Sequence, residues 1–293
     1  MNITQVYAVY FSATGNTRKV TTTLANALAV SFDVPLEVRD FTLPAAREEA
    51  YEFAAGDLVV FGMPTYAGKL PNKLLDFVKS GIHGNGALAV PVVTFGNRSF
   101  DNSLAELCAC LEGDGFHTIG AGAFACRHAF TDALAEGRPD SDDMAELAKL
   151  GSAVVGRIVR MTEYPAPVTV DGNADAPYYR PLGLDGEPKV FLKGEAKTDL
   201  DKCIHCGVCA SLCPMARSIP MMSPRSWACA SNATPACATA RWVRSISTIP
   251  RSSRTARCSN ATTRAERRTR SSRRKKVHKK ALFGNPKQSL FHS

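Results

Sequence analysis

The fold is decided by the stretch Gln5-Val6-Tyr7-Ala8-Val9-Tyr10-Phe11-Ser12-Ala13-Thr14-Gly15-Asn16-Thr17. Its first seven residues are mostly apolar, β-branched or aromatic, which is typical of a buried strand. Small polar residues follow, and then apolar residues recur at helical spacing in Val20, Leu24, Ala27 and Leu28. The stretch therefore predicts a strand, a polar loop and a helix in direct succession.

The same alternation continues to about residue 161. Further strands are predicted at 36–40, 57–62, 88–95 and 118–126, and helices at 70–80, 103–112 and 141–161. Pro71 is expected to open the first of these helices, and Ser141 to be the N-cap of the last. Strands separated by helices predict an α/β fold with a doubly wound, five-stranded parallel sheet. In such a fold, ligands bind at the carboxyl ends of the strands.

The loop after the first strand is predicted to bind an anion. Ser12, Thr14, Asn16 and Thr17 supply three hydroxyls and an amide around Gly15. A loop that opens a helix also directs backbone N–H groups and the positive end of the helix dipole at its ligand. The loop has no Lys, so a phosphate monoester fits better than a nucleoside triphosphate with Mg²⁺. The alternative is a cluster of residues that only caps the helix.

Two further loops are predicted at the same edge of the sheet. One contains Pro64, Thr65, Tyr66, Ala67 and Gly68, and the other Gly96, Asn97, Arg98, Phe100 and Asp101. Each combines an aromatic residue with small polar groups, so Tyr66 and Phe100 could enclose a flat ring between them. The alternative is that both aromatic residues only pack against the protein.

With these three loops, residues 3–162 resemble the flavodoxin-like family, whose members bind flavin mononucleotide (FMN). The resemblance implies that Ser12, Ala13, Thr14, Gly15, Asn16 and Thr17 hold the phosphate. The loops around Tyr66 and Gly96–Asp101 would hold the isoalloxazine ring. His128 is expected to be structural or adjacent to the flavin.

A segment rich in Pro and Gly is predicted to be a tether or a covering segment, and a cysteine motif follows it. Cys203, Cys206, Cys209 and Cys213-Pro214 form C-x₂-C-x₂-C-x₃-C-P, the spacing of bacterial ferredoxins with 4Fe–4S clusters. Zinc and disulfides are the alternatives. Cys108, Cys110 and Cys126 are expected to be buried thiols, and His205 a surface residue rather than a ligand.

The order of these modules resembles the flavodoxin–ferredoxin fusion proteins of anaerobic bacteria. The resemblance implies electron transfer between iron–sulfur and flavin centres, with a redox partner protein. The alternative is an NAD(P)H-dependent flavin reductase of quinones or nitro compounds. The expected organisation is a flavodoxin-like FMN domain at 1–163, a linker at 164–198, the first half of a ferredoxin-type domain at 199–215, and a disordered basic tail at 216–293.

The tail differs in composition from the rest of the chain. Residues 1–215 hold 18 basic and 26 acidic residues, whereas residues 216–293 hold 18 basic residues and one acidic residue, Glu266. The second cysteine motif of the fusion proteins is missing there. Instead, the spacing of the first motif is repeated by four alanines, Ala230, Ala233, Ala236 and Ala240.

The alanines indicate a shifted reading frame soon after Met215. Alanine codons begin with GC, and the residues before them can have codons that end in T, so a shift of one base turns each alanine into a cysteine. Arg241 can become proline in the same frame. An intact frame would then supply two 4Fe–4S clusters, whereas assembly of a stable cluster in this chain is doubtful. The alternative is a genuine basic arm that binds phosphates non-specifically.

The sequence also excludes some classes of protein. No apolar stretch approaches the ~18 residues of a membrane-spanning helix, and no signal peptide is recognised, so a cytoplasmic location is expected. No recognisable nucleic-acid module is present, so no specific nucleic-acid partner is expected.

Overall fold

The structure is a computed structural model, and it describes residues 2–189 and 207–215. The chain divides into two compact units. The described part of the first unit comprises residues 2–178, and that of the second comprises residues 179–189 and 207–215. The predictions for Cys203, His205, Cys206 and the basic tail concern residues outside the described ranges.

The first unit is built on a parallel sheet with helices on both faces. Its strands are β1 (Gln5–Tyr10), β2 (Leu36–Asp40), β4 (Asp57–Pro64), β6 (Leu88–Phe95), β7 (His117–Thr118) and β8 (Gly122–Ala125). Its helices are α1 (Asn16–Phe32), α2 (Leu75–Ser80), α3 (Ser103–Gly113) and α4 (Ser141–Arg160). The strand order is β2-β1-β4-β6-β7, with β8 also paired to β6. This order confirms the flavodoxin-like fold, in which the direction of winding reverses beside β1.

Each face of the sheet has its own apolar core. Val20, Leu24 and Leu28 of α1 pack with Leu150 and Val154 of α4 against one face. On the other face, side chains of α2 and α3 join the aromatic side chains of the sheet and its loops, among them Phe11, Phe41, Phe53, Phe61 and Phe116. Because both faces are covered, the central strands β4 and β6 are almost continuously buried.

The predicted fifth strand at 118–126 is wrong in one respect, because it is interrupted. Thr118 is paired with Ala89 of β6, and Gly122 is paired with Val92. Gly122 lies four residues after Thr118, whereas Val92 lies only three residues after Ala89. The extra residue is a bulge, which separates β7 from β8. Gly120 lies within it, and a Cβ there would be 2.9 Å from Val154 of α4. The bulge therefore lets α4 pack closely against the sheet.

Three other local predictions differ from the structure. The N-cap of α4 is Asp140 rather than Ser141, since the Asp140 carboxylate accepts hydrogen bonds from the N–H groups of Asp142 and Asp143. The predicted helix at 70–80 is a 3₁₀ turn over Asn72–Leu74 followed by α2. A small parallel pairing of β3 (Tyr51–Glu52) with β5 (Ile82–His83) was not predicted.

The described part of the second unit is small. Residues 181–189 form a turn in which the Gly183 N–H donates to the Glu187 oxygen at 2.8 Å. The short helix α5 (Val208–Ser211) follows Gly207, whose φ is 73°. Cys209 lies within α5 and is exposed, and Cys213 lies after it.

Candidate cofactor site

Four loops meet at the carboxyl edge of the sheet. They are the phosphate loop (12–17) after β1, the Tyr66 loop (64–70) after β4, the Asn97 loop (96–102) after β6 and the His128 loop (127–139) after β8. The sequence predicted the first three. The fourth follows a buried strand in the same way, and that position is the signal that could have identified it.

Hydrogen bonds fix the shape of the phosphate loop. The Ser12 N–H donates to the Thr42 hydroxyl at 2.8 Å, and the Ser12 hydroxyl accepts from the Arg18 N–H at 2.9 Å. The buried hydroxyls of Thr17 and Thr94 lie 2.8 Å apart. The Ser12 O–H can still donate to a ligand, and the Thr14 hydroxyl has no hydrogen bond within the part of the chain that the structure describes.

The N-terminus of α1 is open to an anion. Its N-cap is Gly15 at φ 87°, which has no side chain to cap the helix, and its first turn contains no acidic residue. A Cβ on Gly15 would meet only the end of the Arg18 side chain, at 3.8 Å. The Arg18 N–H of the first turn donates to the Ser12 hydroxyl, but the N–H groups of Asn16 and Thr17 have no partner within the helix. They can therefore donate to a phosphate, which the helix dipole and Arg18 also favour.

The Tyr66 loop closes through a tight turn. Tyr66 and Lys69 exchange two backbone hydrogen bonds, of 2.8 and 3.1 Å between N and O. Ala67 and Gly68 between them have φ values of 49° and 78°, as in a type I′ turn. This turn projects from the end of β4 beside the Asn97 loop.

The Tyr66 and Asn97 loops are tied to each other. The Asn102 N–H donates to the Gly68 oxygen at 2.9 Å, and the hydroxyls of Thr65 and Ser103 lie 2.6 Å apart. Asp101, which is paired with Arg98, packs so closely that a Cβ on Gly68 would be 2.5 Å from its Oδ2. The two loops that the sequence assigns to the isoalloxazine ring thus form one connected surface.

The two aromatic residues of these loops have different surroundings. Burial raises the pKa of the Tyr66 phenol to about 12, so it stays neutral at physiological pH. Phe100 is half-buried and packs against Phe95, with ring centroids 5.6 Å apart. Whether Tyr66 and Phe100 enclose a flat ring stays a prediction.

His128, which lies in the fourth of these loops, packs onto the Asn97 loop. Its ring covers Gly96, where a Cβ would overlap it, and its Nδ1 accepts from the Phe130 N–H at 3.1 Å. Burial lowers the pKa of His128. The neutral ring carries its proton on Nε2, since Nδ1 is an acceptor. The Asn16 amide joins this loop to the phosphate loop by donating to the Arg127 oxygen at 3.1 Å.

The segment after α4 also reaches the site, and we call residues 164–178 the strap. The Tyr164 ring stacks on His117, and the Val168 N–H donates to the Thr118 hydroxyl at 2.9 Å, both at the start of β7. Further along, Asn173 bonds Asn102, and the Tyr178 hydroxyl donates to the Leu70 oxygen at 2.8 Å. The strap therefore runs from the amino edge of the sheet to the Tyr66 loop.

The other cysteines of the first unit are unsuited to metal binding. Cys108, Cys110 and Cys126 are buried, as predicted. Burial raises the pKa of Cys108 and of Cys126 to about 12, and that of Cys110 to about 11. Because metals and clusters bind the thiolate, these buried thiols are poor candidates for ligands.

Two family models match the chain. A flavodoxin domain matches residues 7–96, and a 4Fe-4S binding domain matches residues 196–216. The chain therefore has a flavodoxin domain followed by a ferredoxin-type 4Fe–4S module. Flavin and an iron–sulfur cluster are the cofactors that these two modules indicate, and electron transport is the function that they support.

Several solved structures are similar to the chain. A flavodoxin from Streptococcus pneumoniae TIGR4 is 17% identical, with 52% of this chain and 99% of that chain covered and a TM-score of 0.39. A flavodoxin from the domain Archaea is 15% identical, with 53% and 99% covered and a TM-score of 0.39. The NAD(P)H:quinone oxidoreductase of Methanothermobacter marburgensis is 14% identical, with 55% and 100% covered and a TM-score of 0.34. At these TM-scores the similarities carry no further argument. No curated protein matches the sequence.

None of the helices in the described parts of the chain has the length and apolar character needed to cross a membrane.

Proposed function

We propose that the flavodoxin domain binds one FMN without a covalent bond, and that the protein transfers electrons between this flavin and an iron–sulfur centre. The observation that carries the proposal is the N-terminus of α1 behind Gly15, at the carboxyl edge of the sheet, where the N-cap residue has no side chain and the N–H groups of Asn16 and Thr17 are left for a ligand. The loop offers donors for a phosphate group, which FMN carries and riboflavin lacks. The donor set of the loop therefore fits the cofactor.

Different residues of the site would bind the phosphate and the ring of FMN. The first-turn N–H groups of α1, the Ser12 O–H and the Thr14 hydroxyl would hold the phosphate. The connected Tyr66 and Asn97 loops would hold the ring, with the neutral side chains of Tyr66 and His128 near it. When bound, the flavin accepts one or two electrons, whereas a 4Fe–4S cluster passes one at a time, which makes the combination chemically useful.

The iron–sulfur part of the proposal rests on the sequence motif. Cys203, Cys206 and Cys209 would hold the irons of one cluster, and Cys213 is the ligand that two-cluster ferredoxins assign to the other. We further propose a cytoplasmic location and a separate redox protein as the donor or acceptor.

The test is a titration of the full-length chain, after removal of any bound flavin, with FMN, riboflavin and FAD in turn. Binding is measured by the quenching of flavin fluorescence. We expect FMN to bind at least tenfold more tightly than riboflavin, because riboflavin lacks the phosphate. A chain that stays colourless after incubation with FMN would contradict the proposal.

A pair of matched variants tests the phosphate loop. Thr14→Val removes a hydroxyl that has no hydrogen bond among the described residues, so we expect weaker FMN binding with an unchanged melting temperature. Thr22→Val is the control, since its hydroxyl on the exposed side of α1 bonds the Arg18 oxygen at 2.8 Å. Equal FMN affinities of the two variants would place the phosphate elsewhere.

Turnover separates electron transfer from the alternative function. A reductase would oxidise NAD(P)H at enzyme-like rates with a quinone or nitro compound as acceptor. We expect no such turnover, and instead reduction of the flavin by a low-potential iron–sulfur carrier.

A further inference from the structure

Lys69 is a buried cation in the loop assigned to the flavin ring. Only 6% of its surface is exposed, as is 6% of the surface of Glu106 on α3. Its Nζ lies 3.0 Å from Glu106 Oε1. Burying an ammonium group is costly unless it is paired and each of its protons is bonded, so the position of Lys69 requires an explanation.

All three protons of the Lys69 ammonium have acceptors. Besides Glu106, the strap oxygens of Ala174 and Ala176 accept from Nζ at 2.5 and 2.9 Å. The other carboxylate oxygen of Glu106 accepts from the Leu70 N–H at 2.7 Å. The ion pair therefore binds the strap and the end of the Tyr66 loop to α3 at one point.

The backbone of the same residue closes the turn of the Tyr66 loop. Lys69 exchanges two hydrogen bonds with Tyr66 across Ala67 and Gly68. Ala67 is held there at φ 49°, a conformation that costs an alanine free energy and persists only when its surroundings enforce it. A change at the Lys69 side chain would thus be transmitted directly to the turn.

We propose that Lys69 is a positioning residue that couples the strap to the flavin-binding loop. The inference rests on the proposed function. The ion pair with Glu106 and the bonds to the strap hold the turn in the shape that receives the ring, so docking of the strap and binding of FMN favour each other. Such coupling is reciprocal, because each event must stabilise the other by the same factor.

The experiment uses the full-length chain with Lys69→Met, which keeps the length of the side chain and removes its charge. The milder variant Tyr178→Phe removes only the bond from the strap to Leu70 and keeps the aromatic ring. Lys73→Met is the control, because Lys73 is an exposed lysine four residues further on. FMN affinity is measured by fluorescence quenching. Hydrogen exchange of the peptide covering 165–178 is measured with and without FMN.

In the wild type, we expect FMN to slow exchange in the strap. Lys69→Met should weaken FMN binding at least tenfold and abolish this protection, and Tyr178→Phe should weaken binding by a smaller factor. Lys73→Met should behave as the wild type. If Lys69 only stabilised the fold, its substitution would change the exchange rate of the strap equally with and without FMN.

The outcomes separate the two proposals. A wild-type chain that binds FMN while Lys69→Met and Tyr178→Phe bind it equally well, with the strap still protected, overturns the role of Lys69 alone. If Lys69→Met does not fold, Tyr178→Phe decides by the same criteria. A wild-type chain that does not bind FMN overturns the proposed function and this inference with it.

Discussion

At the scale of single residues, Gly68 is a position in the candidate site where both the backbone conformation and the surrounding atoms oppose a side chain. Its φ is 78°, and a Cβ there would lie 2.5 Å from Asp101 Oδ2. We expect Gly68→Ala to destabilise the domain by about 1–2 kcal/mol from the left-handed backbone alone, and to weaken FMN binding by separating the two loops. Urea unfolding followed by far-ultraviolet circular dichroism measures the first effect.

The control for this change is Gly113→Ala. Gly113 is the last residue of α3, and nothing lies within 4 Å of the position its Cβ would take. The substitution should raise stability by about 0.5–1 kcal/mol, since alanine loses less backbone entropy than glycine in a helix. Equal effects of the two substitutions would disprove the argument from Gly68.

Asp114 is expected to give the domain a measurable pH dependence. Its Oδ2 is buried without a hydrogen-bond partner in the described residues, and burial raises the pKa of Asp114 to about 6. The folded protein therefore binds this proton more tightly than the unfolded chain does. The resulting stabilisation is complete below pH 3.8, the usual pKa of the group, and is lost as the pH rises through about 6.

The substitution Asp114→Asn removes this titration. We expect the variant to melt at a higher temperature than the wild type at pH 7.5, and the difference to shrink as the pH falls from about 6 to 4. Thermal melts of both proteins across this range provide the measurement. A difference that does not vary with pH would show that Asp114 is not the responsible group.

At the scale of secondary structure elements, the start of α4 depends on one capping box. The Asp140 carboxylate accepts from the N–H groups of Asp142 and Asp143, and the Asp143 carboxylate accepts from the Asp140 N–H at 3.0 Å. We expect Asp140→Ala to destabilise the domain by about 1 kcal/mol, as the loss of an N-cap usually does. Urea unfolding of the two proteins is the measurement.

Ser141→Ala provides a matched control one residue further on. Ser141 is exposed and is the first residue of the helix rather than its cap. Its substitution should change stability by less than about 0.5 kcal/mol. If Ser141→Ala proves the more harmful change, the N-cap is Ser141, as the sequence predicted.

The elements also show how far the sequence predicts this structure. β2 and β6 have the predicted bounds, and for β6 the reason is a continuous apolar run between polar loops, which leaves few alternatives. The bulge between β7 and β8 could not be predicted, since it depends on how β6 and α4 pack around Gly120. At 139–141, Asp140 and Ser141 are both good caps, and only the fold decides between them.

The candidate site was predicted in the same uneven way. The phosphate loop has a local sequence pattern, so its position between β1 and α1 could be predicted. The ion pair of Lys69 with Glu106 joins residues 37 positions apart, and the strap has no periodicity that a sequence pattern would reveal. Contacts of this kind depend on the tertiary structure and cannot be predicted from a local sequence pattern.

At the scale of the whole molecule, the prediction concerns the iron content of this chain. Ferredoxin-type clusters exchange their fourth ligands between two motifs, and the second motif is absent here. We therefore expect this chain to bind flavin but no stable iron–sulfur centre. Anaerobic reconstitution followed by iron analysis is the measurement.

Restoring the other reading frame after Met215 provides the comparison. That chain should hold about eight irons, in two four-iron clusters. About four irons per chain in the unmodified protein would contradict the prediction. Sequencing of the coding DNA would refute the frame argument if no T precedes the codons of Ala230, Ala233, Ala236 and Ala240.

The strap has a consequence for kinetics. Helix α4 begins beside the His128 loop and ends near the start of β7, away from the candidate site, and the strap brings the chain back until Tyr178 bonds Leu70. Tyr178 itself is thus held beside the Tyr66 loop, and two redox groups joined in one chain meet by an intramolecular step rather than by diffusion of separate molecules. In the chain with the restored reading frame, electron exchange between the flavin and the clusters should therefore follow first-order kinetics, with a rate that dilution of the protein does not change.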